Sequence, residues 1–199
     1  MPKIVDHNLY RQELLSKCFD LFAEKGYGSI TMRQISQGLG VSTGTLYHYF
    51  PSKKELFIQL IQEVVEKDIL NATAETEGTT TLKDRAMALG KYLHKYQDYH
   101  IKWTYLLVDF YQHQDAEGVS DSSVIKMVCE RYQQEIYRFL GFEDKTIANF
   151  ILCLIDGLIL EKLMKNEEID LVEQCTLLGK MLVAYFEKYP EGLRRSLEI

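Results

Sequence analysis

Proline is nearly missing from this chain: Pro2, Pro51 and Pro190 are its three examples in 199 residues. Almost all of the stretch between 8 and 189 is therefore free of the strongest helix breaker, which favours an all-α fold. A long apolar run is missing too. The most apolar segment, 151–160, is about half the length of a membrane-spanning helix and has Asp156 in its middle, so it reads as a buried helix. The opening residues, Met-Pro-Lys-Ile-Val-Asp-His, contain no basic region followed by an apolar stretch. No secretory signal is read there, and the chain is expected in the cytoplasm. Cys18, Cys129, Cys153 and Cys175 are widely separated and form no CxxC pair, so four buried thiols are expected. There is no Gly-rich phosphate loop, no GxSxG and no HExxH, and the histidines are scattered, so nothing positive supports an enzyme and no cofactor is implied.

Positive charge is also in deficit. A net charge of −6 argues against a general nucleic-acid coat, but the deficit is uneven. Residues 1–55 carry seven Lys and Arg against five Asp and Glu, a balance of +2, whereas the remainder carries 16 against 24, a balance of −8. An acidic body repels phosphate, so any DNA is expected at the N-terminal end.

What is present is helical periodicity. From 9 to 25, apolar side chains at Leu14, Leu15, Cys18, Phe19, Leu21 and Phe22 form a stripe that stops at Gly26, where a helix C-cap is expected. Thr31 followed three residues later by Gln34 is a capping box that opens a short helix closing near Gly38 to Gly40. Ser42 caps a third helix over 43–49, and Pro51 ends it because the residue before proline avoids the helical region. Ser52 and Glu55 form another capping box, opening a fourth helix expected over 52–75. A polar break at 75–81 separates these from further helices near 82–98, 101–114, 121–140, 145–165 and 170–189. The expected punctuation includes Asp98-Tyr-His100 and Asp115-Ala-Glu-Gly-Val-Ser120.

Two short capped helices joined by a turn containing Gly40 have the form of a helix-turn-helix. Ile35, Leu39, Val41 and Leu46 can all face the first helix, which leaves Thr43, Gly44, Thr45, Tyr47 and His48 outward. Small outward residues let a helix backbone approach base edges in a major groove. Free N–H groups at the capped helix starts suit phosphate.

The runs Phe22-Ala-Glu-Lys-Gly-Tyr-Gly-Ser-Ile-Thr-Met-Arg-Gln-Ile35 and Gly40-Val-Ser-Thr-Gly-Thr-Leu-Tyr-His-Tyr-Phe-Pro-Ser-Lys-Lys-Glu-Leu56 resemble the DNA-binding domain of the TetR family of transcription regulators. The resemblance covers about the first quarter of the chain. It implies that Thr43, Gly44, Thr45 and Tyr47 face DNA, and that Arg33 reaches a base. It further implies phosphate contacts from Lys53, Tyr47 and Thr31, with His48 or Tyr49 adding another. Thr31 and Ser42 have a sufficient reason for their identity as caps. The resulting expectation is an N-terminal three-helix DNA-binding domain over 1–55 and a larger helical effector-binding and dimerisation domain over 56–199, about nine helices in all.

For the body the resemblance implies an effector cavity and a homodimer through the last two long helices, in a regulator that a small molecule releases from a palindromic operator. Broad apolar faces at 147–160 and 171–186 suit such a dimer, and Gly157 and Gly179 would permit close helix approach. An aromatic set between 87 and 139 offers cavity walls for a planar or cationic apolar ligand. Tyr92, Tyr96, Trp103, Phe110, Tyr111, His113 and Tyr132 are the candidates, against an ordinary packed core. His94 with Asp98, and Asp109 with His113, stand four residues apart. Surface pairing is the expected use of that spacing, and a metal- or redox-responsive regulator is the alternative weighed.

Overall fold

The computed structural model describes residues 6–114 and 123–189, and every regular element among them is a helix. In order these are α1 (His7–Lys25), α2 (Met32–Leu39), α3 (Thr43–Tyr49), α4 (Lys53–Thr76), α5 (Leu82–Lys95), α6 (Gln97–Gln114), α7 (Ser123–Leu140), α8 (Lys145–Leu163) and α9 (Leu171–Lys188). The fold is all-α, as composition and periodicity predict. The expected punctuation at 115–120 lies outside the described residues.

Local chemistry sets most of the ends. Thr31 Oγ1 accepts the Gln34 N–H while Gln34 Oε1 accepts the Thr31 N–H, a complete capping box. Gly40 closes α2 at φ 69°, in the left-handed region that costs a side chain-bearing residue about 1 kcal/mol or more. Ser42 Oγ accepts the Thr45 N–H at 2.9 Å to start α3, and Ser52 Oγ accepts the Glu55 N–H at 3.0 Å to start α4. One boundary differs from expectation. Asp98, Tyr99 and His100 lie inside α6, and the break falls earlier, at Tyr96. The backbone ladder there is barely interrupted: Tyr96 N donates to Tyr92 O and His100 N to Tyr96 O. Asp98 then sits in the first turn of α6, where a carboxylate is favoured by the helix dipole.

The described residues fall into two compact units, one from 6–67 and the described part of 105–128, the other from 68–104 and 129–189. In the first, Leu14, Cys18 and Phe22 of α1, Ile35 of α2, Leu46 of α3 and Phe57, Leu60 and Ile61 of α4 are all buried. Phe22, Tyr27, Phe57 and Phe110 interlock there, with ring centroids 4.6–5.0 Å apart for Phe57–Phe110, Tyr27–Phe57, Tyr27–Phe110 and Phe22–Phe57. Such edge and tilted pairs contribute about 0.5–1.5 kcal/mol each beyond their burial. In the second unit, α5 and α9 pack intimately, and Ala148 and Ile151 of α8 meet Leu178, Leu182 and Phe186 of α9.

Two expectations about the body are corrected. Gly179 serves an intrachain approach: a Cβ placed on it would lie 2.8 Å from Ala86 Cβ of α5, whereas one on Gly157 meets nothing within 4 Å. Of the four cysteines, Cys18 and Cys175 are buried, but Cys129 and Cys153 are exposed. Burial raises the first two thiols to about 12 and about 11 respectively. The other two lie on faces of α7 and α8 that no described helix of this chain covers, which helical spacing alone does not reveal.

Candidate nucleic-acid interface and ligand cavity

In the first unit, α2 and α3 turn their apolar sides inward and leave a polar surface. Ile35 and Leu46 have no exposed area, and Leu39 and Val41 are half-buried. Outward lie Thr31, Arg33, Ser42, Gly44 and His48, all exposed, with Tyr47 49% exposed and Thr43 and Thr45 half-buried. Tyr47 is thus not part of the core, where a tyrosine would be covered.

The polar side chains are held in place. Thr43 Oγ1 and Ser36 Oγ lie 3.1 Å apart, and Thr45 Oγ1 and Ser42 Oγ 2.8 Å apart. Each hydroxyl keeps further hydrogen-bonding capacity. Lys53 is not a free surface charge: its Nζ donates to Tyr27 O at 2.8 Å and sits 4.4 Å over the Tyr27 ring. One hydrogen of the ammonium is used and two remain. A contact invisible in the sequence joins His7 to this end of the unit. Its Nδ1 lies 2.9 Å from Tyr49 Oη, and its ring 6.3 Å from that of His48. No spacing rule connects residues 42 apart in sequence.

In the second unit a cavity of about 650 Å3 opens among the helices. Tyr92, Trp103 and Tyr132 line it, as expected. Tyr96 packs against Tyr92 with ring centroids 5.0 Å apart and planes tilted by 53°, but does not line it. Phe110, Tyr111 and His113 are not brought there and belong to the first unit. Phe110 is core, Tyr111 is 64% exposed, and His113 stands beside Asp109, which accepts the Gly28 N–H at 3.2 Å. The Asp109–His113 pair thus supports the loop before α2. His94 and Asp98 fall in different helices, and no group of three metal-ligating side chains occurs among the described residues.

The polar centre of the cavity is Asp68, which sequence reasoning passed over. It is 6% exposed, with Tyr92 Oη donating to Oδ1 and Tyr132 Oη to Oδ2, the latter at 2.8 Å. Its position among Val64, Val65 and Ile69 was the available signal: a charge on the buried stripe of α4. Both tyrosines are held well above the ordinary phenol range, by burial first and then by the adjacent carboxylate. His100 Nδ1 lies 3.9 Å from Asp68 Oδ1, and burial lowers its basicity against the opposing pull of that carboxylate.

Residues 14–60 match the family model of bacterial regulatory proteins, tetR family. The N-terminal segment of this chain is thus similar to the DNA-binding segment of that family. The chain is 36% identical over 80 residues to the HTH-type transcriptional repressor Rv1474c of Mycobacterium tuberculosis, an alignment covering 39% of this chain and 42% of that protein. The alignments to the first curated relatives span under half of those proteins' length. Over 96% of its length it is 24% identical to the HTH-type transcriptional regulator BetI of Rhizobium meliloti, covering 97% of that protein. FadR of Bacillus subtilis, solved in complex with stearoyl-CoA, shares the fold with a TM-score of 0.65 at 19% identity, over 86% of this chain and 97% of that one. No described helix is long and apolar enough to cross a membrane.

Proposed function

We propose that this protein is a cytoplasmic, sequence-specific DNA-binding repressor that a small-molecule effector releases from a palindromic operator. The observation that carries the reading is the outward face of α2 and α3, which presents Arg33, Thr43, Gly44, Thr45 and Tyr47 within the segment matching the family model. Arg33 forks to a guanine, the small residues of α3 let its backbone into the groove, and Thr31, Ser42, His48 and Lys53 hold phosphates. The cavity of the second unit is the effector site. α4 carries Lys53 at its start and Asp68 in its second half, so a single helix couples the two. Effector affinity that differs between the DNA-competent and released states drives the release.

A homodimer supplies the two half-sites. Its support is an uncovered apolar stripe on α8, with Phe150 52%, Leu160 42% and Met164 66% exposed, and another on α9, with Leu177 49% and Met181 52% exposed. Positions 150, 153, 157, 160 and 164 repeat at three- and four-residue spacing, the pattern of a helix seam. Exposed apolar stripes of this extent mark association surfaces.

Selection of bound sequences from random duplexes tests the reading, and a palindrome of two short half-sites is the expected product. Arg33→Ala and Thr45→Ala should then weaken that operator more than random DNA, Arg33→Ala by about tenfold to hundredfold, equivalent to about 1–3 kcal/mol. Lys53→Ala should weaken both duplexes and reduce the salt slope by about one. Equal losses on every duplex for all three variants contradict base reading.

A further inference from the structure

We propose that the effector is a protonated amine with an apolar tail, its ammonium head seated between Asp68 and His100. This rests on the reading of the cavity as the effector site and names the ligand's chemical class. The polar end of the cavity keeps unused hydrogen-bond acceptors. An ionised carboxylate only accepts, and has about four lone-pair positions. Asp68 uses two of them for the hydroxyls of Tyr92 and Tyr132. No lysine or arginine pairs with Asp68 among the described residues. A carboxylate 6% exposed without a cation is costly unless something compensates its charge.

His100 adds an independent observation. It is 5% exposed, lines the same cavity, and its Nε2 is buried without a hydrogen-bond partner. Burial disfavours the charged imidazole, and the carboxylate 3.9 Å from Nδ1 favours the neutral tautomer with hydrogen on that nitrogen. Nε2 is then an acceptor. The rings of Tyr92 and Tyr99 flank the imidazole edge to face, both with centroids 5.4 Å away, so it cannot swing to find a donor elsewhere. Two buried acceptor groups and negative charge therefore belong to residues of one cavity lining. The complement is a head carrying both positive charge and N–H donors.

Other ligand classes fit less well. An anionic head would place like charge beside Asp68. The two arginines of the lining are engaged: Arg85 Nη1 donates to Phe139 O at 2.8 Å, and Arg138 pairs with Glu135 at 2.6 Å. A neutral alcohol satisfies His100 but leaves the carboxylate uncompensated. A quaternary ammonium compensates the carboxylate but brings no N–H to Nε2. Trp103, 6% exposed in the same lining, adds an aromatic face for a cation, and the remaining walls, among them Leu89, Leu93 and Ile159, suit an alkyl tail.

Trp103 is the single tryptophan of the chain, so its fluorescence reports occupancy of the cavity directly. The test is a fluorescence titration of the DNA-free full-length protein at neutral pH with decylamine, decyltrimethylammonium, 1-decanol and decanoate, each below its aggregation concentration. Decylamine, charged at this pH as lysine is, should bind tightest, at least about tenfold ahead of decanol and decanoate, with decyltrimethylammonium between. Asp68→Asn keeps the volume and one acceptor oxygen, the other tyrosine hydroxyl being able to accept from the amide NH2, and should cost decylamine about tenfold or more while leaving decanol unchanged. Equal or tighter binding of decanol or decanoate overturns the proposal, as does failure of decylamine to bind, or an Asp68→Asn variant that binds it unimpaired. The ranking on the unmodified protein decides even if the variant does not fold. Because no DNA is present, a failed ranking leaves the DNA-reading proposal standing, and a failed operator selection leaves the ranking valid.

Discussion

Phe110→Ala should destabilise the unit that contains α1 to α3 by about 3–5 kcal/mol, measured as a shift in the urea unfolding midpoint. Phe110 has no exposed area and meets Phe57 at 4.6 Å and Tyr27 at 4.8 Å between ring centroids. Truncation removes a buried ring and leaves a space that Tyr27 cannot fill, because its backbone carbonyl anchors Lys53 and its ring lies beneath that ammonium. A typical domain is stable by about 5–15 kcal/mol, so this single change removes a large fraction of the total. The sequence alone makes Phe110 a candidate cavity wall, and the two assignments differ in what they expect. As a core residue, its loss lowers stability and leaves amine affinity of the folded protein intact. A variant that unfolds with nearly unchanged midpoint but binds ligand poorly would return Phe110 to the cavity.

Gly90→Ala should cost about 2 kcal/mol in the other unit, although alanine is the better helix former. A Cβ on Gly90 would stand 2.8 Å from Val172 Cα, 2.9 Å from Cys175 Cβ and 3.0 Å from Leu171 O. Two of these are backbone atoms of α9, which cannot rotate away as a side-chain tip would. Overpacking of this kind costs up to about 3 kcal/mol, and the gain in helix propensity returns about 1. The clash therefore wins. Thermal unfolding followed by circular dichroism measures it, and a variant as stable as the parent would mean that α5 and α9 approach less closely than described. The same reasoning explains why Gly90 escapes a sequence reading: within the periodic stripe of α5 it looks like a weak helix position, and only the neighbouring helix gives it a purpose.

The helix-turn-helix was almost wholly legible because its determinants are local. Thr31 with Gln34, Gly40, Ser42 and Ser52 act within three or four residues of themselves, and the structure starts and stops helices where they require. The outward face of α3 follows from the inward placement of Leu46 by simple angular arithmetic. Lys53 was legible as a residue of that surface, but its anchoring on Tyr27 was not, since a hydrogen bond across 26 positions depends on the path of the intervening chain.

In the body, the aromatic set between 87 and 139 was visible but its partition was not. Tyr92, Trp103 and Tyr132 converge on one cavity while Phe110, Tyr111 and His113 fall in the other unit, because α6 and α7 each contribute residues to both. Periodicity states which side of a helix is apolar and is silent about which core receives it. The early break at Tyr96 is a milder case, where a nearly continuous hydrogen-bond ladder overrides residues of middling helix propensity.

By itself the sequence determined the all-α class, the capped helices α1 to α3 and the charge asymmetry between them and the body, because capping, turn chemistry and net charge are local or additive. Tertiary structure alone decided that Asp68, His100, Tyr92 and Tyr132 share one buried site, that Phe110 is core, and that Gly90 lets two helices meet. Those outcomes depend on which helix faces pair across tens of residues, and pairing is settled by the competition of all apolar surfaces for one another rather than by any single stretch of chain.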